Sequence, residues 1–342
     1  MRILLNDTNT ITTGSTRVHI YNMGHYLKLA GANVTWNDWT NYKNYDVVIF
    51  GKSVPFQRLI ESRCQNSNIL IGDINPSTRP EDHSKIIKSK LADFFIAGSL
   101  EEKDFYLPLK KPVLIFPQFE IFKTKPKIHT DKNEIIIGYH GNKMHIEAMS
   151  DEFIAAMNRL NKEFNITMHL VYNHNALGKA TLSGNPRFRI EHIQWTLNNF
   201  AEHIQKFDIG VSPSLTKIHT EGINLCKKVP YQGGFPNDYI IRFKNSSNIG
   251  RASVFFQLGI PVVADMTPCH FGILSFPGAG YIAMSEEGWY VALNELSSSA
   301  SKRNDVAKLA LHEYNHRYNP FKISKSFLEQ LVVIKNQHFQ TF

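Results

Sequence analysis

The chain has 342 residues, enough for two domains that each bury a core, and its 42% hydrophobic and 20% charged residues are ordinary for a globular protein. No apolar run approaches the roughly twenty residues of a membrane-spanning helix, so we expect any membrane contact to be peripheral. The net charge of +8 favours anionic partners such as nucleotide phosphates or acidic lipid headgroups, although a basic surface without such a ligand explains it equally well.

Short apolar strands alternate with helical segments through residues 1–117. We predict strands at 2–5, 33–36, 46–51, 68–73, 93–99 and 113–117. Helical spacing covers 17–29, 55–64 and 80–91, and a polar loop covers 6–15. Alternation of this kind predicts a parallel, doubly wound sheet.

A second series of the same kind begins at residue 134, after a lysine-containing linker at 118–133. Its predicted strands are 134–140, 166–172, 188–193, 208–213, 260–264 and 280–283. Its predicted helices are 144–161, 197–205 and 249–258, with three more that start at residues 286, 305 and 325.

The fold class is therefore α/β, with two Rossmann-like, doubly wound domains facing a cleft. The N-terminal domain is 1–117 and the C-terminal domain is 134–320; a helix at 321–342 is expected to pack back on the N-terminal domain. Ligands of such sheets bind at the carboxyl ends of the strands, so the site is expected in the cleft.

A lysine, a helix start and a buried strand follow one another in 242–265. Lys244 precedes Ser246, Ser247 and Asn248, which are residue types that prefer a helix N-cap. The lysine charge and the free N–H groups of the helix start predict a phosphate or diphosphate site. A well-capped helix beside a surface lysine has the same pattern, and the sequence alone leaves both open.

The turn His140-Gly141-Asn142-Lys143 joins a predicted strand to a helix. Gly141 lets the backbone approach a ligand and Lys143 adds a positive charge, so we predict that this turn faces a diphosphate. His140 is a candidate catalytic residue that touches sugar or phosphate. The alternatives are an ordinary loop and a histidine that serves as scaffold.

Asp73, at the end of its strand, is the second catalytic candidate, because a carboxylate there accepts a proton from an attacking hydroxyl or binds a sugar. The alternative is a cap for the following turn. Gly14, Ser15 and Thr16, around the end of the first loop, are predicted to contact the acceptor or the diphosphate. The His-Glu-x-x-His pattern at 312–316 matches a zinc signature but lies after a complete two-domain layout, so we predict no metal site.

Cys64, Cys226 and Cys269 are widely spaced and form no metal-binding or redox pattern, which is typical of reduced thiols in a cytosolic protein. The first residues turn polar after position 5 and are interpreted as a strand, not a signal peptide. We therefore expect a cytoplasmic protein whose membrane contact, where it occurs, is peripheral and at the inner face.

Five motifs resemble, in the right order, those of the group 1 (family 4-like) branch of the GT-B glycosyltransferases. They lie at 93–99, 116–118, 136–142, 207–213 and, as Lys-x-Ser-x-Asn followed by a helix and Leu-Gly-Ile-Pro-Val-Val-Ala, at 244–264. The resemblance implies transfer of a sugar from a UDP- or GDP-linked donor, held by the C-terminal domain, to a sugar, glycolipid or other hydroxyl acceptor. It implies surface-polysaccharide or glycolipid assembly, with no metal and no further cofactor. Because the basic residues are scattered and form no dense Lys/Arg run, we expect no nucleic-acid partner.

The chain departs from the pattern at two positions where many members carry glutamates, because Ser246 and Val254 stand there. Contact with the ribose, the identity of the donor and the stereochemical outcome therefore stay open. Two alternatives also stay open: a nucleotide-sugar epimerase of the same architecture, using Asp73 and His140 as acid and base, and a two-lobed sugar-binding protein.

Overall fold

The chain forms two compact units, each built on one parallel sheet. A computed structural model describes residues 1–74, 76–77, 81–213 and 249–340, with side chains as far as residue 337. The first unit comprises Met1–Lys123, residues 249–254 and the segment that begins at His312. The second comprises residues 124–213 and Phe255–Leu311. The predicted α/β class with two doubly wound domains is confirmed.

The sheet of the first unit has six strands in the order β2-β1-β3-β4-β5-β6. The strands are β1 Arg2–Asn6, β2 Asn33–Trp36, β3 Val47–Phe50, β4 Leu70–Asp73, β5 Phe94–Ala97 and β6 Val113–Ile115. The helices are α1 Gly14–Thr16, a π-helical stretch Arg17–Asn22, α2 Met23–Leu29, α3 Phe56–Gln65, α4 His83–Leu91 and α5 Leu100–Tyr106, with 3₁₀ turns at Tyr42–Asn44 and Leu107–Leu109. Strands β3, β4 and β5 are buried at every position, as expected for apolar strands in a parallel sheet covered on both faces.

The sheet of the second unit has the order β12-β11-β10-β7-β8-β9. The strands are β7 Glu134–His140, β8 Asn165–Tyr172, β9 Arg189–Gln194, β10 Ile209–Ser212, β11 Val262–Ala264 and β12 Tyr281–Ile282. The helices after β7 are α6 Lys143–Glu147, α7 Asp151–Leu160, α8 His174–Leu177, α9 Phe200–Ile204, α10 Gly250–Leu258, α11 Pro268–Leu274, α12 Glu286–Ser297, α13 Ala300–Arg317 and α14 Pro320–Gln340.

Residues 124–133, which lie in the predicted linker, pack on the amino edge of the second sheet. Lys127 and Lys132 place their Nζ atoms 3.0 and 2.9 Å from Oδ1 of Asp208, the residue before β10. The other carboxylate oxygen accepts the backbone N–H of Ile136 at 3.0 Å. The backbone N–H of Lys127 donates to the carbonyl of Leu258 at 2.9 Å. This segment is therefore bonded to the second sheet by both its charges and its backbone.

The C-terminal helix α14 belongs to the first unit and packs on α2 and β6. The Phe327 ring meets Phe116 edge to face with centroids 5.4 Å apart. Nζ of Lys335 lies 2.9 Å from Oδ1 of Asp46. Within the described residues, no helix has both the length and the hydropathy needed to cross a bilayer.

Several predicted helix boundaries are wrong. The predicted helix 144–161 is interrupted, because the Ser150 hydroxyl accepts the N–H of Phe153 at 3.2 Å and caps a new helix. The helix expected from residue 325 starts at Pro320, a residue type favoured at the first helical position, and that expected from residue 305 starts at Ala300. The predicted end of a helix at Gly259 is confirmed, with a φ of +73° that glycine adopts without strain.

Candidate functional site

The second sheet has a topological switch point at its carboxyl edge. Strand β7 lies beside β8 on one side and β10 on the other, so the chain changes winding direction between β7 and β10. In doubly wound sheets the crevice at this switch point is where ligands bind. His140 ends β7 and Ser212 ends β10, which places both residues at that crevice.

The predicted turn after β7 forms as a strand-to-helix connection. The His140 ring packs edge to face on Phe255, with centroids 5.0 Å apart. Gly141 is exposed, has a φ of +142° and donates its N–H to the Val171 carbonyl at 3.1 Å. The Asn142 side chain accepts the N–H of Met144 at 3.0 Å and so caps α6. A phosphate at this helix start would therefore compete with the Asn142 side chain for the N–H of Met144.

Lys143 is directed toward the loop after β8. Its Nζ donates to the Leu177 carbonyl at 3.1 Å and lies 3.6 Å from Oε1 of Glu147. The Lys143 side chain is 27% exposed, so both contacts are close to solvent and are individually weak. Contact between Lys143 and a diphosphate stays a prediction.

A buried polar network that the sequence analysis missed joins the ends of β10 and β11. Nε2 of His270 lies 3.3 Å from Oγ of Ser212, and Nδ1 lies 2.8 Å from the backbone oxygen of Asp265. Because a carbonyl only accepts, Nδ1 is the donor in the bond to Asp265. The Thr267 hydroxyl accepts the N–H of His270 at 3.2 Å and caps α11.

Ser212, His270 and Asp265 resemble the members of a hydrolase triad, but each is at most 2% exposed. A serine so deeply buried does not reach a substrate, and the carboxylate of Asp265 is 3.5 Å from the imidazole. The network therefore holds the ends of β10 and β11 in place. The Thr-Pro-x-His sequence at 267–270, a cap followed by a proline at the first helical position, was the signal for the start of α11.

The structure places Asp73 inside the first unit, in a buried ion pair. Its side chain is fully buried, and Oδ1 lies 2.7 Å from Nζ of Lys88, a side chain only 4% exposed. Nζ of Lys88 also donates to the Gly51 carbonyl at 2.7 Å. A carboxylate in this position links β4, α4 and the end of β3. The geometry favours a structural role for Asp73 over proton transfer to a substrate.

Gly14, Ser15 and Thr16 form the short helix α1 and not the predicted end of a loop. Gly14 is exposed and Ser15 is half-buried. Thr16 is buried and its hydroxyl donates to Oδ2 of Asp7 at 2.9 Å. Of the three, Thr16 has a defined task, which is to orient Asp7.

The predicted phosphate ligands that precede α10 lie outside the described residues; they are Lys244, Ser246, Ser247 and Asn248. Helix α10 itself, and strand β11 after it, form where the sequence predicts them. The His-Glu-x-x-His pattern lies at the end of α13, where His312 is mostly exposed and Glu313 contacts Arg317 at 3.4 Å. In the part of the chain that the structure describes, no three His, Cys, Asp or Glu side chains cluster as metal ligands would.

No family model and no curated protein matches the sequence. Solved structures match along the whole chain. Sucrose-phosphate synthase from Thermosynechococcus elongatus has a TM-score of 0.61 at 12% identity, covering 100% of both chains. An alpha-glucosyltransferase in complex with UDP and a mismatched 13-mer DNA has a TM-score of 0.57 at 13% identity, covering 98% of this chain and 99% of that one.

The DNA-modifying enzyme beta-glucosyltransferase, solved in the presence and absence of uridine diphosphoglucose, also has a TM-score of 0.57. It is 12% identical, and the match covers 96% of this chain and 99% of that one. The chain therefore has the GT-B fold, the two-domain α/β architecture of nucleotide-sugar glycosyltransferases, as the sequence motifs predicted.

Proposed function

We propose that the protein is a glycosyltransferase that moves a sugar from a nucleoside-diphosphate sugar to a hydroxyl acceptor. The observation that carries the proposal is the extent of the likeness, since three glycosyltransferases each match at least 96% of this chain in fold. Two of them were solved with UDP or uridine diphosphoglucose. We accordingly propose UDP as the first nucleotide to test and GDP as the second.

In the proposed reaction the acceptor oxygen bonds to the anomeric carbon while the bond from that carbon to the diphosphate oxygen breaks. The nucleoside diphosphate leaves with the bonding electrons, and the hydroxyl proton passes to a base or to solvent. Negative charge grows on the leaving group, so nearby cations and N–H groups accelerate the step. The proposed cations are Lys143 and Lys244, and the exposed backbone at Gly141 supports close approach to the diphosphate at the switch point.

We further propose that these groups act without a metal ion, that the acceptor is a sugar or glycolipid, and that the reaction is cytoplasmic. The charge of +8 supports a peripheral contact with anionic lipids at the inner face of a membrane. Because Nζ of Lys143 is bonded to Leu177 and Glu147 only near the surface, exchanging these contacts for a phosphate costs little.

The test is turnover of UDP-glucose, UDP-N-acetylglucosamine and GDP-mannose, in EDTA and in Mg²⁺. Turnover is measured as the nucleoside diphosphate that is released. We expect at least one donor to be hydrolysed slowly, with release of its nucleoside diphosphate at a rate that is the same in EDTA as in Mg²⁺. Interconversion of the sugar without release would support the epimerase instead. Binding without either reaction would support a sugar-binding protein.

The residues are tested by nucleotide affinity in the double variant Lys143→Ala/Lys244→Ala. Two lost charge-assisted contacts, at about 1.5–3 kcal/mol each, predict at least about 100-fold weaker binding of UDP or GDP. Lys308→Ala, at an exposed position of α13, is the matched control and should bind as the natural chain does. Undiminished affinity in the folded double variant would remove Lys143 and Lys244 from the site.

A further inference from the structure

Two glycines lie side by side in the second sheet, each two residues before the end of its strand. Gly138 on β7 and Gly210 on β10 are register partners. A Cβ atom on Gly210 would lie 2.7 Å from the ring of Phe255, and one on Gly138 would overlap the ring of Phe207. Because glycine has no side chain, each ring lies directly on the backbone of its strand.

The ring of Phe255, on α10, is held on two sides. It is fully buried on the backbone of Gly210, and its centroid lies 6.1 Å from that of Phe207. Phe207 is itself fully buried on Gly138. Protein interiors are close-packed, so a ring in such a place cannot shift without moving its neighbours. The position of Phe255 is therefore set by β10 and by Phe207.

Phe255 in turn contacts the residue that ends β7 at the switch point. The half-buried His140 ring meets it with centroids 5.0 Å apart and planes at 83°. This edge-to-face arrangement is one that aromatic pairs prefer, and it depends on the orientation of both rings. Phe207, by contrast, meets Phe255 and His169, with centroids 6.1 Å apart in each pair. Of the two phenylalanines on the glycine pair, Phe255 is the one whose ring meets His140.

The orientation of the His140 imidazole matters if this residue touches a donor. Its two ring nitrogens point in fixed directions, so rotation of the ring changes which of them faces a ligand. A side chain that contacts reacting groups must be held to within roughly 0.5 Å and 10–20° by its neighbours. The Phe255 ring is a neighbour of this kind, since the sheet and Phe207 fix its own position.

We infer that Phe255 is a positioning residue of the donor site, which orients the His140 imidazole toward the nucleotide sugar. The inference rests on the proposed function, because it takes His140 to touch the sugar or a phosphate of the donor. Phe207 fills the neighbouring half of the same space and supports the sheet without orienting His140.

The test compares Phe255→Leu with Phe207→Leu, the matched control. Each variant removes a ring that is buried on a glycine, so denaturant unfolding should show similar losses of stability. Calorimetry then measures the affinity for UDP-glucose, UDP-N-acetylglucosamine and GDP-mannose. Phe255→Leu should weaken the donor that the natural chain binds most tightly by about three- to tenfold. Phe207→Leu should change that affinity by less than about twofold.

His140→Ala provides two measurements that a purely structural role of Phe255 would not change. If Phe255 acts through the imidazole, adding Phe255→Leu to His140→Ala should weaken donor binding no further. NMR gives the second measurement, with the His140 ring protons assigned by their loss in His140→Ala. These resonances should move in Phe255→Leu and stay in place in Phe207→Leu, because the ring current of Phe255 acts over a short distance.

Three results would each overturn the inference. They are equal losses of donor affinity in the two leucine variants, a full further loss when Phe255→Leu is added to His140→Ala, and unchanged His140 resonances in Phe255→Leu. Phe255→Met and Phe207→Met, which keep more of the side-chain volume, replace the leucine pair if either leucine variant does not fold.

Release of nucleoside diphosphate is scored separately, so this inference and the proposed function fail separately. Donor turnover with equal losses in the two leucine variants would keep the glycosyltransferase and end the role of Phe255. Donor binding that depends on Phe255 and His140, without release of nucleoside diphosphate, would keep the role of Phe255 and end the glycosyltransferase proposal.

Discussion

Each unit pairs a fully buried aspartate with lysine, and the two aspartates lie at opposite edges of similar sheets. In the first unit, Asp73 and Lys88 pair at the carboxyl edge. In the second, Lys127 and Lys132 pair with Asp208 at the amino edge. The position of each ion pair depends on which segment packs on the sheet. The first pair joins α4 to its sheet, and the second joins residues 124–133 to the other sheet.

The carboxyl edges differ accordingly. In the first unit, Asp7 lines an open cavity, while Asp73 pairs with Lys88. In the second, the side chains of Ser212 and His270 bond to each other and to the backbone inside the protein. The first edge therefore has an open cavity lined by polar side chains, whereas at the second the exposed backbone of Gly141 and the side chain of Lys143 lie near the switch point.

The largest expected loss of stability comes from removing the lysine of the buried ion pair on α4, compared with the lysine of an exposed pair on the same helix. Lys88→Ala leaves Asp73 buried without its cation and should lower the free energy of unfolding by about 3–5 kcal/mol. Lys85, one turn earlier on α4, pairs with Asp82 at 3.5 Å near the surface, so Lys85→Ala should cost at most about 1 kcal/mol. Denaturant unfolding measures both. Similar losses in the two variants would show that Asp73 is not structurally paired as described.

A smaller loss of folding stability is expected from a substitution at the carboxyl edge of the second sheet. His270→Ala removes the hydrogen bonds to the Ser212 hydroxyl and to the Asp265 carbonyl, at a cost of about 2–3 kcal/mol. His203→Ala, on α9 near the surface, should cost less than about 0.5 kcal/mol. If His270→Ala unfolds like the natural chain but loses nucleotide affinity, the imidazole contacts a ligand and our structural assignment is wrong.

The amino edge of the second sheet should give the smallest effect, an acid-sensitive stability. Burial alone would raise the pKa of Asp208, but the His129 ring, whose Nδ1 lies 3.8 Å from Oδ1, and the charge of Lys127 hold this pKa well below its usual range. The folded-state pKa is therefore lower than the unfolded value of about 3.9, so the stabilisation is present above that pH and is lost as the pH falls further.

Acidification from pH 6 to below the unfolded-state pKa should lower the free energy of unfolding by roughly 2 kcal/mol, which denaturant unfolding at the two pH values measures. Asp208→Asn should be less stable at pH 6 and should lose less on acidification. Asp305→Asn, at an exposed position of α13, should retain the acid dependence of the natural chain. If the stability of Asp208→Asn depends on acid as that of the natural chain does, other carboxylates cause the acid dependence.

Local sequence was sufficient for the strands and for several helix ends. The apolar run of β7 and the β-branched run before Ala264 form strands because burial on both faces of a parallel sheet requires such residues. Gly259 ends α10 because the left-handed conformation costs glycine nothing. The alternation of these elements was enough to predict the two doubly wound domains.

The partners of the polar side chains were decided by tertiary structure alone. Lys88 reaches Asp73 from the next helix, Thr16 and Asn37 reach Asp7 across 9 and 30 positions, and His270 reaches Ser212 across 58. Periodicity reports which face of an element is buried and does not report which element covers it. Whether an aspartate near a strand end pairs with a lysine, as Asp73 does, or with a hydroxyl and a backbone N–H, as Asp7 does, depends on that covering element.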